Sequence, residues 1–297
     1  MRPTRLDKVA TKVIEVFVAC VVLILLFLLS IILIQGVPHL SWHFLTSPSQ
    51  SFAAGGGIVD QLFNSLYLLV LTLLISLPLA IGSAVYLNEY ASDNWLTGLL
   101  RTAIEVLSSL PSVVVGLFGY LLFVIHFHFG FSILSGAIAL TFFNLPLLTR
   151  SIEGALAAIS DTQREAGLAL GLSAWRTIRG VILPAALPGI VTGVILSAGR
   201  VFGEAAALIY TAGQSAPVVN YTNWNPLSSD SFLNPMRPAE TLAVHIWKVN
   251  TEGVTPDAVS ISAGASAVLI IVILLFNFLA RLIGRHLYRK MTGNSNK

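Results

Sequence analysis

Charge is scarce in this chain: Asp, Glu, Lys and Arg make up 10% of its 297 residues, against roughly 25% in soluble domains. Combined with 55% hydrophobic residues, that excludes an ordinary soluble globular protein and predicts a polytopic membrane protein. Cysteine is almost missing. The lone thiol, Cys20, excludes an intramolecular disulfide and a cysteine-ligated metal cluster, and its place in an apolar run reads as a small buried residue. A net charge of +3 makes no general case for nucleic acid. Gly-x-x-x-x-Gly-Lys-Ser/Thr, His-Glu-x-x-His and Gly-x-Ser-x-Gly are absent, so the chain supplies no phosphate loop for ATP and neither of those hydrolase signatures. His126 and His128 flank Phe127 with no nearby carboxylate, which reads as interfacial rather than as a metal site. His39, His43, His245 and His286 carry no signal.

What is present is apolar length. Six stretches of about twenty residues can span a bilayer: near Val13 to Ile34, Leu62 to Leu87, Ile104 to Ile125, Ile133 to Leu148, Ala185 to Ala212 and Val259 to Ile283. The first is too long for a signal peptide core, and no small-residue cleavage pattern follows it. The predicted fold class is all-α, with six transmembrane helices and both termini on one side. Basic residues decide which side. Arg2, Arg5, Lys8 and Lys12 precede the first span, Arg101 follows the second, Arg150, Arg164, Arg176 and Arg179 follow the fourth, and Arg281, Arg285, Arg289, Lys290 and Lys297 follow the last, whereas the opposite segments hold only Arg237 and Lys248. By the positive-inside rule both termini are expected to be cytoplasmic. The organisation is then a cytoplasmic segment over residues 1–12, a membrane domain over 13–283 with a cytoplasmic loop at 150–183 and a long outer loop at 213–257, and a cytoplasmic tail at 284–297.

The loops and breakers leave several readings open. Gly55, Gly56 and Gly57 lie in the first outer loop and read as a turn, since no Gly-Lys follows them. Trp42 and Phe44 in that loop are expected at the lipid headgroups. Pro78 and Pro111 fall inside the second and third spans, either as kinks serving a gated pathway or as ordinary membrane-helix prolines. In the outer loop, Leu242, Ile246 and Val249 share a helical face. That suits a short helix along the membrane surface, a docking surface for a soluble partner, or a plain cover over the span ends.

Two features carry chemistry. Between the fourth and fifth spans, Thr162 to Ile178 is rich in helix formers, yet Gly167 and Gly171 would each cost a single long helix about 1 kcal/mol relative to alanine. Two short helices with a tight turn near Gly171-Leu172-Ser173 fit better, with Trp175 and Ile178 as an apolar face for a partner's groove. The run Glu165-Ala166-Gly167, then Gly171, then Val181-Ile182-Leu183-Pro184 resembles the EAA motif of permease subunits of binding-protein-dependent ABC importers. Gly167 stands where that motif has its second Ala, and Val181 where it has Ile. The resemblance implies a type I importer permease fold and assigns Glu165, Ala166, Gly167, Gly171, Leu183 and Pro184 to coupling helices seated in a separate cytoplasmic ATPase dimer. ATP and Mg would be bound there, with no cofactor in this chain.

The second feature is Arg200-Val201-Phe202-Gly203-Glu204. On a continuous fifth span Arg200 and Glu204 lie about halfway along, share one face and can pair. Charges at that depth cost at least about 2.5 kcal/mol each on insertion scales, so they mark a substrate pathway or an internal pin. Gly189 with Gly193, and Gly199 with Gly203, are spaced for close helix contact. The Arg-x-x-Gly-Glu run resembles the permeases of phosphate ABC importers, as do Ser41 to Thr46, Leu110 to Gly119 and Leu145 to Arg150. The resemblance covers nearly everything from Ser41 onward, and it assigns Arg200 and Glu204 to phosphate translocation. An arginine fork suits an oxyanion, with the carboxylate as its alternative partner. The resemblance also implies a bacterial inner-membrane location in lipid, a second related permease and an extracytoplasmic phosphate-binding protein. The same scaffold serving sulfate or molybdate is the alternative; an intramembrane enzyme lacks every motif it would need.

Overall fold

The computed structural model describes residues 5–50, 53–253 and 255–291. Arg2 and Lys297, counted above toward orientation, lie outside the described residues, as do parts of the two terminal segments. The described chain is helical; its β pairing is a single isolated bridge between Asn220 and Ser231.

Five helical stretches are long and apolar enough to cross a membrane: Val9–His39, Val59–Tyr90, Ile133–Ala157, Ala174–Phe202 and Ala258–Lys290. The first is mostly α1 (Arg5–Gly36), peripheral and exposed along its length. Cys20, expected to be buried, is therefore exposed. After the short α2 (Trp42–Thr46), α3 (Val59–Val85) carries Pro78 in its interior and ends in a π-helical turn, Tyr86–Tyr90. Trp42 is exposed, but Phe44 is buried against Ile58 and Ile261 instead of facing headgroups.

The third expected span is broken. α4 (Trp95–Ser109) and α5 (Ser112–Gly119), which continues as π-helix to His126, meet at 99°. The cause is local: proline disfavours the helical region for the residue before it, and Leu110 and Pro111 are both extended, with ψ of 136° and 138°. Pro78 and Pro111 thus differ in outcome, one tolerated within a helix and one making a corner.

α6 (Ile133–Ala157) is the most buried span. Around it pack α3 and α9 (Leu183–Phe202), preceded by α7 (Asp161–Ala169), α8 (Ala174–Thr177) and a π-helical turn, Ile178–Ile182. The α6–α9 seam is close because Gly189 faces Ala155 and Gly193 faces Ser151; a Cβ on Gly189 would lie 2.5 Å from that of Ala155. Gly199 meets nothing and Gly203 only its own helix, so the second small-residue pair makes no helix contact. Last come α10 (Ala206–Thr211), α11 (Leu242–Glu252) and α12 (Ala258–Met291). The shared face of Leu242, Ile246 and Val249 packs on Ile261, Ala265 and Val268 of α12 and does not lie on a lipid surface.

The two ends of the bundle can be named by their arginines. At the Arg237 end the segment 213–241 forms a lid tied to α3. Arg237 is buried and donates to Asn64 Oδ1 at 2.7 Å and to the Phe232 carbonyl at 3.2 Å. Gln61 donates to Glu240 at 2.9 Å, Asn64 to the Glu240 carbonyl at 3.0 Å, and Tyr221 to Asp60 at 2.6 Å. At the Arg164 end lie α4, α7, α8 and the last turns of α3 and α6.

Candidate coupling and translocation sites

Between α6 and α9 the chain turns twice in a short distance. Ser160 opens α7 by accepting from Thr162 N at 3.2 Å, and Ser173 opens α8 by accepting from Arg176 N at 3.4 Å. Gly171 between them has φ +78°, a region that costs an L side chain about 1–2 kcal/mol. The tight turn expected there is present. Gly167 is buried against α8, where a Cβ would fall 2.6 Å from Thr177 Cγ2. One glycine answers a backbone conformation, the other a close approach.

Glu165 and Ala166 stand on the solvent side of α7, and Leu170 and Trp175 are exposed at 82% and 55%. Ile178, expected beside Trp175 on that outward face, is instead buried with Ile152, Leu156 and Ile182. The register shifts because Pro184 has no N–H to give and its ring excludes the carbonyl four residues back. Leu183 N bonds Ile178 O across five residues, which widens the turn to π. Leu183 is half-buried and Pro184 buried.

Arg164, one residue before Glu165, points away from that exposed face. Its Nε lies 3.2 Å from both Glu89 oxygens and its Nη2 3.0 Å from Oε1. Nη1 and Nη2 also donate to the carbonyls of Ile159 and Leu156 at 2.8 and 3.0 Å. The hydrogen bond to Glu89, outweighing the opposing cost of burial, makes the guanidinium harder still to deprotonate. Nothing in the sequence links positions 89 and 164, which is why this contact was not foreseen.

The continuous helix expected through Arg200 and Glu204 ends between them. α9 stops at Phe202, so Arg200 occupies its last turn and not the middle of a span, and Glu204 lies beyond the helix. Gly203, lacking side-chain contacts, closes α9. The Glu204 carboxylate then accepts from Ala207 N at 3.1 Å, capping the first turn of α10. The two side chains do not form the expected pair. Arg200 lies over the Phe143 ring, 3.6 Å from its centroid, a cation–π contact. One turn back on α9, Ser197 accepts from Asn144 Nδ2, and both are fully buried. Asn144 Oδ1 has no partner. Phe143, Asn144, Ser197 and Arg200 therefore form a polar spot on the α6–α9 seam, and only Arg200 was legible beforehand. His245, dismissed above, is buried with Nδ1 at 3.2 Å from Glu240 Oε1. Leu183 and Pro184 sit at one end of α9 and Arg200 at the other: from Pro184 to Arg200 is 16 residues, about 24 Å of helix.

Residues 76–293 match the model of the family described as binding-protein-dependent transport system inner membrane component. Among curated relatives, the probable ABC transporter permease protein YqgI of Bacillus subtilis is 53% identical over 97% of this chain and 98% of its own. The phosphate transport system permease protein PstA 2 of Mycobacterium bovis is 34% identical over 84% of this chain and 78% of its own. PstA of Yersinia pestis is likewise 34% identical, over 84% and 79%. Among solved structures, a bacterial ABC transporter involved in import of the acidic polysaccharide alginate aligns with TM-score 0.63 at 14% identity, over 95% of this chain and 99% of that one. The MetNI methionine ABC transporter aligns with TM-score 0.57 at 18% identity, over 78% and 94%. At those identities the structures show the fold alone, that of type I ABC importer permeases. The family match across most of the chain, with a 53%-identical relative covered over 98% of its length and 34%-identical ones over 78% and 79% of theirs, makes this protein a member of the binding-protein-dependent transport permeases, a multi-pass inner-membrane subunit of an ABC transporter.

Proposed function

We propose that the chain is one permease subunit of an importer that moves inorganic phosphate into the cytoplasm. The observation that carries this is Arg200: a guanidinium at the end of a membrane span, with no carboxylate on it and an aromatic face beneath it. A fork of donors held in apolar surroundings suits a tetrahedral oxyanion. The 34%-identical relatives named as phosphate transport permeases support the choice of anion. Glu204, bound to α10, stands four residues away as the carboxylate that the arginine meets when the anion leaves. In this reading a phosphate-binding protein delivers substrate at the Arg237 end. A second, related permease completes the pathway, and a cytoplasmic ATPase dimer holding ATP and Mg seats α7 and α8, with Glu165, Ala166 and the exposed Leu170 and Trp175 toward it. Both termini are then cytoplasmic.

Phosphate uptake in cells carrying Arg200→Gln tests the pathway. Loss of a charged hydrogen bond of about 1.5–3 kcal/mol corresponds to a fall of about 10- to 100-fold. Undiminished uptake would sink the role, and competition by sulfate or molybdate at equal concentration would redirect the substrate. The coupling seat is tested separately by Gly171→Pro, which forbids φ +78°. The variant is expected to lose ATPase recruitment, and normal recruitment would count against the seat.

A further inference from the structure

The covalent route from the coupling loop to the bundle runs through the π-helical turn Ile178–Ile182 into α9, yet α7 is also gripped from the side. Arg164 holds Glu89, at the end of α3, with bonds of 3.0–3.2 Å, and at the same time bonds the carbonyls of Leu156 in the last turn of α6 and of Ile159 just beyond it. The pair is well covered, with side chains 21% and 10% exposed. A planar fork on a carboxylate, backed by carbonyls at the end of α6, fixes orientation as well as distance. α3 is long and unbroken from Val59 to Tyr90 apart from its final π turn. At its other end Gln61 and Asn64 hold Glu240 and Arg237 of the lid. From Asn64 to Glu89 is 25 residues, about 38 Å of helix.

We infer that Arg164 and Glu89 are positioning residues that make α7 and α3 move as one body, so that α3 is the strut carrying displacement of the coupling loop to the lid at the Arg237 end. α9 alone connects the loop to Arg200; α3 connects it to the surface where substrate arrives. The inference rests on α7 and α8 being the ATPase seat, and it gives Arg164 a task distinct from the seat itself. Glu89 separates the two. It lies on α3, outside the loop, so its loss leaves the seat's exposed face unchanged.

The test uses the assembled importer in proteoliposomes, reading ATPase recruitment, ATP hydrolysis and phosphate imported per ATP as three quantities. Glu89→Ala and Arg164→Gln are expected to recruit the ATPase and hydrolyse ATP while phosphate moved per ATP falls at least about tenfold, the effect of losing a charge-assisted contact. Unchanged coupling in Glu89→Ala overturns the inference. In a Cys20→Ala background, Glu89→Cys with Arg164→Cys is expected to be uncoupled until a short bis-maleimide joins the two thiols, and then to return to within about twofold of the parent, whose intact contact is the tightly coupled reference. A purely structural contact would lower assembly and leave the ratio alone; a linked variant that stays uncoupled also overturns the strut. Failure of the seat itself appears elsewhere, as an ATPase that binds Gly171→Pro normally.

Discussion

The two ends of the bundle use arginine in opposite ways. At the Arg237 end the guanidinium is 5% exposed, and its bonds go to a neutral amide and a backbone carbonyl inside a network that also buries Glu240 and His245. At the Arg164 end the contacts are ion pairs: the covered pair of Arg164 with Glu89, and the more exposed pairs of Arg101 with Glu153 and Arg150 with Glu105. Buried polar groups in a shared hydrogen-bond network are costly to disturb, whereas the more exposed pairs of Arg101 with Glu153 and Arg150 with Glu105 hold geometry with little net stability. One end is held by a buried polar network, the other by ion pairs.

The comparison breaks first at Arg237. Arg237→Ala removes charged hydrogen bonds and leaves Asn64 Oδ1 and the Phe232 carbonyl without their donor, so thermal unfolding of the purified assembly should show a loss of about 2–3 kcal/mol. A loss near zero would mean that the lid is not held by this network. Gly167→Leu, at the opposite end, should cost about 1–3 kcal/mol by overpacking against Thr177, concentrated in α7 and α8 when followed by hydrogen exchange. An acid titration sharpens the contrast further. Burial pushes the Glu240 carboxyl up, but His245 beside it at 3.2 Å, the Gln61 hydrogen bond and Lys248 outweigh it and hold it below the usual carboxylate range. A depressed folded-state value stabilises fully above the ordinary one and is lost as pH falls through the depressed one. Amide protection in α11 should therefore weaken only in that acid limb, and Glu240→Gln should abolish the dependence. The smallest stability effect is expected for Trp175→Ala, within about 0.5 kcal/mol because the ring is exposed. Pull-down of the ATPase is the readout that should drop. A large stability loss there would place Trp175 in the core and not on the seat.

Apolar length was readable because it sums over twenty residues, so one misread position changes little; α3, α6 and α12 follow from it directly. Features that hang on one residue were not. Pro78 and Pro111 look alike in sequence, yet the first stays within α3 while the second, with Leu110 extended before it, makes a corner. Gly203 was read as a packing residue and proves to be a helix end, which undid the expected Arg200–Glu204 pair. The EAA-like spacing was legible because Gly167 and Gly171 act within a few residues of themselves. The contacts of Arg164 with Glu89 and of Arg237 with Asn64 span 75 and 173 positions, and no local pattern announces them. His245 and Lys248 belong with them: in sequence they look like ordinary exposed polar residues, yet both approach the buried Glu240 carboxylate.

The corner at Pro111 has a consequence for membrane thickness. Ser112 to His126 is 15 residues, about 22 Å of helix, against a hydrocarbon layer of about 30 Å. The other spans are 25 to 33 residues long. α5 with its π-helical extension is thus shorter than that layer, and α4 meets it at 99° with Leu96, Leu99 and Leu100 exposed along its length. A crossing of that length falls on the short side of hydrophobic mismatch, whereas the longer spans fall on the other side.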